Sequence, residues 1–372
     1  MSYQITEFTN DHVDAVKAFN ARLKAGGIEM QYPDQTIPNW LPPLGELLPN
    51  QRYYVALDHA EEVRGGYILK HQAFKIGDNV VPIADLRLPI SEGIIDRAHA
   101  NLGVEILFNS LSKQKLLFGM GIGGEGEAVA QLFKAGGWRI SSIPFFFKVV
   151  HPFKFCRNIR FLRRTPLRRI LLDAAAFSGA GWIAANVAQR IRHSTPANQS
   201  SVKIEQVDQF TSWADQVWAD CEEHYGMIAV RDTQVLQRLY PTTDPRFLRL
   251  KISDASGVIG WVVVIDTLMS GHKQFGTLRV GSVVDALATP ENANRLVKAA
   301  TQFLTERGVD LIVSNQAHRD WCKGFQTAGY LSGPSNYLFA SSRALTRQID
   351  AANVNTDHYY INRGDGDGPI NL

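Results

Sequence analysis

The chain carries the same short pattern twice, once in each half of its 372 residues. The segments LFKAGGW at 132–138 and GFQTAGY at 324–330 share a phenylalanine, two variable residues, a small residue, a glycine and a large aromatic residue. Self-similarity at a fixed offset is the signature of a duplicated unit, and it constrains the fold more than any single motif. The length agrees with a duplication, because 372 residues exceed what one hydrophobic core usually organises.

The segments upstream of the two copies repeat in the same order. Each half opens with a short strand and an amphipathic helix, continues with three strands, and closes with helix, strand, helix and strand. Three consecutive strands followed by helical crossovers predict a mixed, largely antiparallel sheet flanked by helices. We therefore expect an α/β (α+β) fold with two tandem copies of one domain. The paired strands are RYYVALD at 52–58 with RFLRLKI at 246–252, GGYILK at 65–70 with IGWVVVI at 259–265, and VPIADLRLP at 81–89 with VGSVVDALATP at 280–290.

The repeat and the composition between its copies divide the chain into four regions. We predict a first domain at 1–150, a basic and apolar linker at 151–200, a second domain at 201–346 and a C-terminal tail at 347–372. Within 151–193, nine Lys and Arg residues stand against a single Asp. This segment is typical either of peripheral contact with an anionic membrane, at its inner face, or of a helix packed between the two domains.

The overall composition excludes several classes of protein. With 45% hydrophobic and 20% charged residues the chain is typical of a globular protein, and its net charge of +3 argues against a polycation that binds DNA. The three cysteines lie far apart, which argues against a disulfide framework or a zinc site. The first residues show no basic region followed by an apolar stretch, so we expect no secretory signal and predict a cytoplasmic protein.

The two motifs and the strand order resemble the GNAT superfamily of acyl-CoA-dependent N-acyltransferases. In that family the closing helix and last strand carry an aromatic residue, a few residues, then glycine and an aromatic residue, as LFKAGGW and GFQTAGY do. The resemblance covers 1–150 and 201–342. It implies two tandem GNAT-like domains, acetyl-CoA or a longer acyl-CoA as co-substrate, no metal, and transfer to the amine of a small molecule. That molecule would be, for example, an amino sugar or a cell-envelope precursor.

The resemblance places the pyrophosphate of the donor on the loop between the fourth strand and the following helix, where backbone amides and the helix N-terminus favour an anion. In the first half the loop spans 88–103 and does not match the family's usual Gln or Arg pattern with its glycines. The second half keeps only a short loop without glycine at 289–292, so we expect the donor in the first half. The alternative to a donor site is that this loop only caps the following helix, and that the glycines serve flexible turns and contact no ligand. The candidate donor-binding residues are Ser91, Gly93, Arg97, Asn101 and Gly103, with Gly121 and Gly123 in the turn after the fifth strand.

The chemistry of amine acylation requires a general base. Asp85 and Glu92 in the first half are the candidate catalytic residues, and Asp285 is a further candidate in the second. Each of them is also typical of a carboxylate at a strand end or cap that makes ordinary structural hydrogen bonds. The tyrosine that family enzymes often use as the acid is replaced by phenylalanine in both motifs, at Phe133 and Phe325.

Two segments outside the repeat offer weaker candidates. The proline-rich loop at 32–49 contains Tyr32 and Trp40, which we predict either to contact the acceptor substrate or to pack. In the tail, Asp365 and Asp367 have the spacing of a calcium loop but lack its closing glutamate, so no metal is expected.

Two other functions fit the same sequence. A tandem GNAT-type transferase that uses aminoacyl-tRNA as donor would use the basic linker, so tRNA is not excluded as a partner. A non-catalytic acyl-CoA-binding module would explain the missing tyrosine and glycines.

Overall fold

The computed structural model describes residues 2–35, 41, 45, 47–160, 202–272, 275–335 and 337–366. Most of the predicted linker, residues 161–200, lies outside these ranges, and both interpretations of it remain predictions. No helix in the described ranges is both long enough and apolar enough to cross a membrane.

The described elements include the order predicted for each half, with the additional strand β9 in the second half and further elements after the predicted closing strand of each half. The strands are β1 (Gln4–Glu7), β2 (Asn50–Leu57), β3 (Val63–Ile76), β4 (Asn79–Ser91), β5 (Leu117–Met120), β6 (Arg139–Ser142), β7 (Phe145–Val149), β8 (Lys203–Val207), β9 (Met227–Ala229), β10 (Leu248–Asp254), β11 (Gly257–Leu268), β12 (Arg279–Ala288), β13 (Leu311–Asn315), β14 (Leu331–Gly333), β15 (Leu338–Ser341) and β16 (Tyr359–Tyr360). The helices are α1 (Val13–Ala25), α2 (Leu102–Lys113), α3 (Ala128–Ala135), α4 (Pro152–Asn158), α5 (Ser212–Cys221), α6 (Thr233–Leu239), α7 (Ala293–Glu306), α8 (Arg319–Thr327) and α9 (Arg343–Ala351).

Contacts between residues divide the chain into two compact units. Unit 1 comprises Met1–Ser142 and Asn336–Val354, and unit 2 comprises Ile143–Ser335 and Asn355–Leu372. This division differs from the predicted boundaries at residues 150 and 346. The reason is that β7, from the first half of the chain, belongs to the sheet of unit 2, and β15, from the second half, belongs to the sheet of unit 1. After β6, Pro144 interrupts the strand, and its carbonyl oxygen accepts a hydrogen bond from the amide of Gln316 in unit 2 at 3.1 Å.

The sheet of unit 1 has the strand order β1-β2-β3-β4-β5-β15-β6. All neighbouring pairs are antiparallel except β4 and β5, which pair in parallel at Ala84 with Leu117 and at Asp85 with Phe118. One face of the sheet packs against α2 and α3 through a core that includes Phe133. The other face packs against α1 through a second core. The prediction of a largely antiparallel sheet flanked by helices is confirmed in this unit.

The sheet of unit 2 has the order β8-β10-β11-β12-β13-β7-β14, which is the order of unit 1 with β7 in the place of β15. Here too only one pair in that path is parallel, β12 with β13, from Val280 opposite Leu311 to Ser282 opposite Val313. Two short strands of unit 2 that are not part of this sheet, β9 and β16, pair with each other in parallel. Two sheets with the same order confirm the predicted duplication of the fold.

The two motifs that revealed the repeat adopt the same local structure. The amide of Trp138 donates to the Phe133 carbonyl at 3.0 Å, and the amide of Tyr330 donates to the Phe325 carbonyl at 3.0 Å. The glycine before each second aromatic residue has φ +74° in the first copy and +84° in the second, a conformation that favours glycine. The paired rings lie 4.2 Å apart in the first motif and 5.0 Å apart in the second. The shared pattern therefore encodes a helix end closed by two packed rings.

Candidate functional site

The parallel strands at the centre of unit 1 separate beyond their short contact. They pair only at Ala84 and Asp85 of β4, which then continues as far as Ser91. After β5 the chain turns away at Gly121 and Gly123, whose φ angles of +64° and +80° favour glycine. We refer to the space between the end of β4 and the end of β5 as the unit 1 gap.

The start of α2 lies beside the end of β4. Asn101 precedes the helix, and Gly103 is its second residue. The first amide groups of a helix have no intrahelical acceptor and carry a partial positive charge. Ser91 Oγ and Leu132 Cδ2 each lie 3.9 Å from the position that a Cβ would take at Gly103. The structure therefore brings Ser91, Asn101 and Gly103 together at one end of α2.

The intervening loop is folded tightly on itself. A Cβ at Gly93 would lie 2.5 Å from the carbonyl oxygen of His99, so this position accepts only glycine without rearrangement. Asp96 accepts a hydrogen bond from the Ala98 amide at 2.9 Å and caps the short 3-10 helix that contains Arg97. Gly93 thus has a structural role in the loop, whereas the exposed Arg97 faces solvent.

Glu92, a candidate base, is held by two arginines. Its side chain is 5% exposed and accepts hydrogen bonds from Arg22 at 2.7 and 3.1 Å and from Arg64 at 3.3 and 3.2 Å. A carboxylate offers about four lone-pair positions, and these four contacts occupy them. The arrangement favours the structural alternative, in which Glu92 ties the end of β4 to α1 and β3.

Asp85 lies at the centre of the sheet in a row of buried polar residues. In register, Gln51 on β2 stands opposite Lys70 on β3, and Lys70 stands opposite Asp85 on β4. These side chains are 5%, 1% and 1% exposed, respectively. They share the α1 face of the sheet, because Tyr53 and Ile68, two residues from Gln51 and Lys70, belong to the core on that face.

This polar row was missed in the sequence analysis except for Asp85. Tyr53 donates a hydrogen bond to Gln51 Oε1 at 2.7 Å, while Gln51 Nε2 has no hydrogen-bond partner among the described residues. The signal in the sequence was a lysine within a strand pattern that is otherwise apolar, GGYILK. Fully buried lysine and aspartate side chains are rare in a central strand, so this row marks a functional candidate.

The two predicted acceptor contacts have different outcomes. Tyr32 is 1% exposed and its hydroxyl donates to the carbonyl oxygens of Tyr54 and Tyr67 at 3.0 and 3.1 Å. Burial raises the pKa of Tyr32 well above its usual value. These contacts favour the packing interpretation. Trp40 lies outside the described residues.

The corresponding space in unit 2, between the ends of β12 and β13, contains residues from 359–366. Tyr360 donates a hydrogen bond to the carbonyl oxygen of Ala286 on β12. On the other side, the carbonyl oxygen of Ile361 accepts from the amide of Ala317, just beyond β13, at 2.9 Å. The predicted tail at 347–372 therefore includes part of α9 and a buried segment.

Asp285, the third candidate base, belongs to a buried network in unit 2. Its carboxylate accepts from Arg231 Nε at 3.1 and 3.2 Å and from the Tyr240 hydroxyl at 2.8 Å. Arg231 also pairs with Asp365 at 2.9 Å, and the side chains of Arg231, Asp285 and Asp365 are each 1% exposed. Asp365 is thus an ion-pair partner here, whereas Asp367 lies outside the described residues. The network favours a structural role for Asp285.

The start of α7, where unit 2 would hold a phosphate, is acidic. A shallow groove of about 450 Å³ is lined there by Glu291, Asn294, Asp320 and Lys323, with three small or apolar residues. A hydrogen bond from Thr289 lowers the pKa of Glu291, which favours its ionised form. A carboxylate at this position repels phosphate.

Comparisons with known proteins identify the fold. No known family model matches the sequence, and no curated protein is significantly similar to it. Among solved structures, Saccharomyces cerevisiae N-myristoyltransferase with bound myristoyl-CoA is 8% identical, with a TM-score of 0.53 over 92% of this chain and 78% of that one. A probable N-acyltransferase from Enterococcus faecalis is 12% identical, with a TM-score of 0.50 over 93% and 74%. A GCN5-related N-acetyltransferase from Anabaena variabilis is 10% identical, with a TM-score of 0.50 over 91% and 72%. These matches and the strand order of each unit show that the chain has a GNAT-like fold in two tandem copies.

Proposed function

We propose that this protein is an N-acyltransferase that moves an acyl group from acyl-CoA to the amine of a small molecule, with the donor bound in unit 1. The observation that carries the proposal is the difference between the two units. The unit 1 gap ends at the N-terminus of α2 and at a turn with two glycines of positive φ. The corresponding space in unit 2 contains a segment of the chain itself. The three solved structures named above are acyltransferases by name, and one of them holds myristoyl-CoA.

The donor's pyrophosphate would lie at the start of α2. Its oxygens accept hydrogen bonds from the first amides of the helix, near Asn101 and Gly103, and from the hydroxyl of Ser91. The absence of a side chain at Gly103 permits this close approach. Arg97 adds a solvent-facing positive charge beside the phosphates. The acyl arm then passes along the unit 1 gap, beside Gly121 and Gly123.

Asp85 is the proposed general base. The amine nitrogen attacks the thioester carbon, the carbon–sulfur bond breaks, and CoA leaves as a thiolate that takes up a proton. Asp85 accepts the proton that the amine loses, directly or through a water molecule. Its position on the fourth strand, in the row with Lys70 and Gln51, supports this role. We further propose that the acceptor is an amino sugar or a cell-envelope precursor.

The alternatives have less support. Use of aminoacyl-tRNA and contact with an anionic membrane both depend on the basic segment 151–193, of which residues 161–193 lie outside the described residues.

Thermal denaturation of the full chain with acetyl-CoA and with myristoyl-CoA tests the donor site. A ligand that binds only the folded state raises the melting temperature, so we expect a rise that saturates with concentration. The variant Gly103→Val should abolish the rise. A Cβ at this position meets no atom closer than 3.9 Å, and the melting temperature of the variant without ligand checks that it retains the fold. Asn294→Val, at the second position of α7 in unit 2, is the matched control and should leave the rise intact. No rise with either donor, or an unchanged rise with Gly103→Val, would contradict the proposed site.

A further inference from the structure

A segment of unit 2 joins the two strands that would otherwise separate at its centre. Asn362 donates to Asp285 on β12 at 2.7 Å and forms an isolated β-bridge with Gln316, just beyond β13. Arg363 donates to the side chain of Asn315, at the end of β13, at 3.1 Å. The segment therefore contacts both strand ends in the space that corresponds to the unit 1 gap.

The fit of this segment is close. Tyr360 and Ile361 are 0% exposed, and Asn362 and Asp365 are 3% and 2% exposed. A Cβ at Gly364 would lie 2.6 Å from the Tyr240 hydroxyl oxygen and 2.9 Å from Asp285 Cβ, so only glycine fits there. Such burial leaves no room for a second occupant at this position.

The segment also takes part in the buried ion-pair network of unit 2. Arg231 is paired with Asp285 and with Asp365, and Asp365 Oδ2 accepts a further hydrogen bond from the Asn362 amide at 2.9 Å. A buried charge without its partner is strongly unfavourable. Withdrawal of the segment would break the Arg231–Asp365 ion pair and the Asn362–Asp285 hydrogen bond together, and Arg231 would keep Asp285 alone. Because Asp365 is buried against Arg231, these contacts hold the segment in place.

We propose that residues 359–366 are an intramolecular plug, which occupies in unit 2 the position that the donor occupies in unit 1. Unit 2 is closed to acyl-CoA, and the chain binds one donor. The acidic groove at the start of α7 independently supports the closure of unit 2 to acyl-CoA, since Glu291 lies where a phosphate would bind. The stoichiometry of one donor per chain rests on the proposed function, whereas the occupation of the space in unit 2 by residues 359–366 does not.

Hydrogen exchange of the full chain tests the plug. The amides of Asn362 and Gly364 donate to side chains of the segment itself, at 2.9 and 2.8 Å, and those of a docked segment exchange slowly. We expect the variant Gly364→Leu to speed their exchange by at least about tenfold, and Asp357→Asn, at an exposed position two residues before the segment, to leave it unchanged. Fast exchange in the native chain, or no difference between the two variants, would overturn the plug.

Titration calorimetry with myristoyl-CoA tests whether unit 2 is closed to acyl-CoA. One donor per native chain, lost in Gly103→Val, supports the proposal, and two donors per chain overturn it. A donor that still binds in Gly103→Val and is lost in Asn294→Val also overturns it, because unit 2 would then hold the ligand. If no acyl-CoA binds at all, the proposed function fails, but slow exchange at 362 and 364 still supports the plug.

Discussion

Asn362 and Asp285 are joined by a hydrogen bond of 2.7 Å between Nδ2 and Oδ1, although they are far apart in sequence. The bond links the segment 359–366 to the fourth strand of unit 2. In unit 1 the fourth strand carries Asp85, which we propose as the general base. The equivalent strands of the two units therefore carry a structural carboxylate in unit 2 and a candidate general base in unit 1.

The Arg231 network is expected to dominate the stability of unit 2. Replacement by methionine in Arg231→Met leaves two buried carboxylates without their cation, and we expect a loss of about 3–5 kcal/mol in the free energy of unfolding. Arg246→Met, which breaks the exposed pair with Asp244, is the control and should cost at most about 1 kcal/mol. Urea unfolding followed by fluorescence measures both. Equal losses in the two variants would show that the buried network is not special.

Asp85 and Glu92 should respond differently to loss of charge. We expect Asp85→Asn to lower kcat by about 10²–10⁴, the range typical of a general base. We expect Glu92→Gln to lower the melting temperature instead, because it weakens the contacts with Arg22 and Arg64. The measurement is thiol release from acetyl-CoA with glucosamine as trial acceptor, beside thermal denaturation of each variant. A larger effect on kcat from Glu92→Gln would exchange the two roles.

Gly93 is predicted to be irreplaceable within its loop. The added methyl group of Gly93→Ala would lie 2.5 Å from the His99 carbonyl oxygen, so the backbone must move. The expected cost is about 1–3 kcal/mol. Gly124→Ala is the matched control, since no atom lies within 4 Å of its added Cβ and its φ is not positive. The midpoint of urea unfolding should fall for Gly93→Ala alone, and a stable Gly93→Ala would contradict the tight loop.

His71 should make stability depend on pH. Burial, with a smaller effect of Arg52, lowers the pKa of His71 from 6.5 to about 4. The unfolded chain therefore takes up this proton first as the pH falls, so the contribution is complete above pH 6.5 and is lost as the pH falls towards 4. The contribution is at most about 3 kcal/mol. His71→Gln should flatten the pH dependence of unfolding in this window, whereas the exposed His59→Gln should not.

The order of strands and helices along the chain was predictable because each element carries its own periodicity in the sequence. The segments RYYVALD and VPIADLRLP predicted the ends of β2 and β4 to within two residues. The two aromatic motifs predicted where α3 and α8 end. These signals are local. They depend only on alternation, on helical spacing and on a glycine with positive φ.

The exchange of β7 and β15 between the sheets was not predictable in the same way. The pattern FFFKV identifies a strand but not its partner, since pairing depends on residues far away in the sequence. The same limitation applies to Glu92, whose arginines come from α1 and β3, and to Asp365, whose partner is Arg231. In the sequence, the polar segment around Asp365 is rich in glycine and aspartate and is typical of a solvated tail. Only the structure shows that it is buried and paired with Arg231.

The strand exchange constrains how the chain is made and how it is able to evolve. During synthesis, β5 and β6 emerge from the ribosome long before β15, the strand that lies between them in the finished sheet. Their unpaired edges must be protected from other chains until that strand arrives. Each half of the chain lacks one strand of its sheet when it is separated from the other half. We therefore expect that neither half folds independently and that the two halves are inherited together.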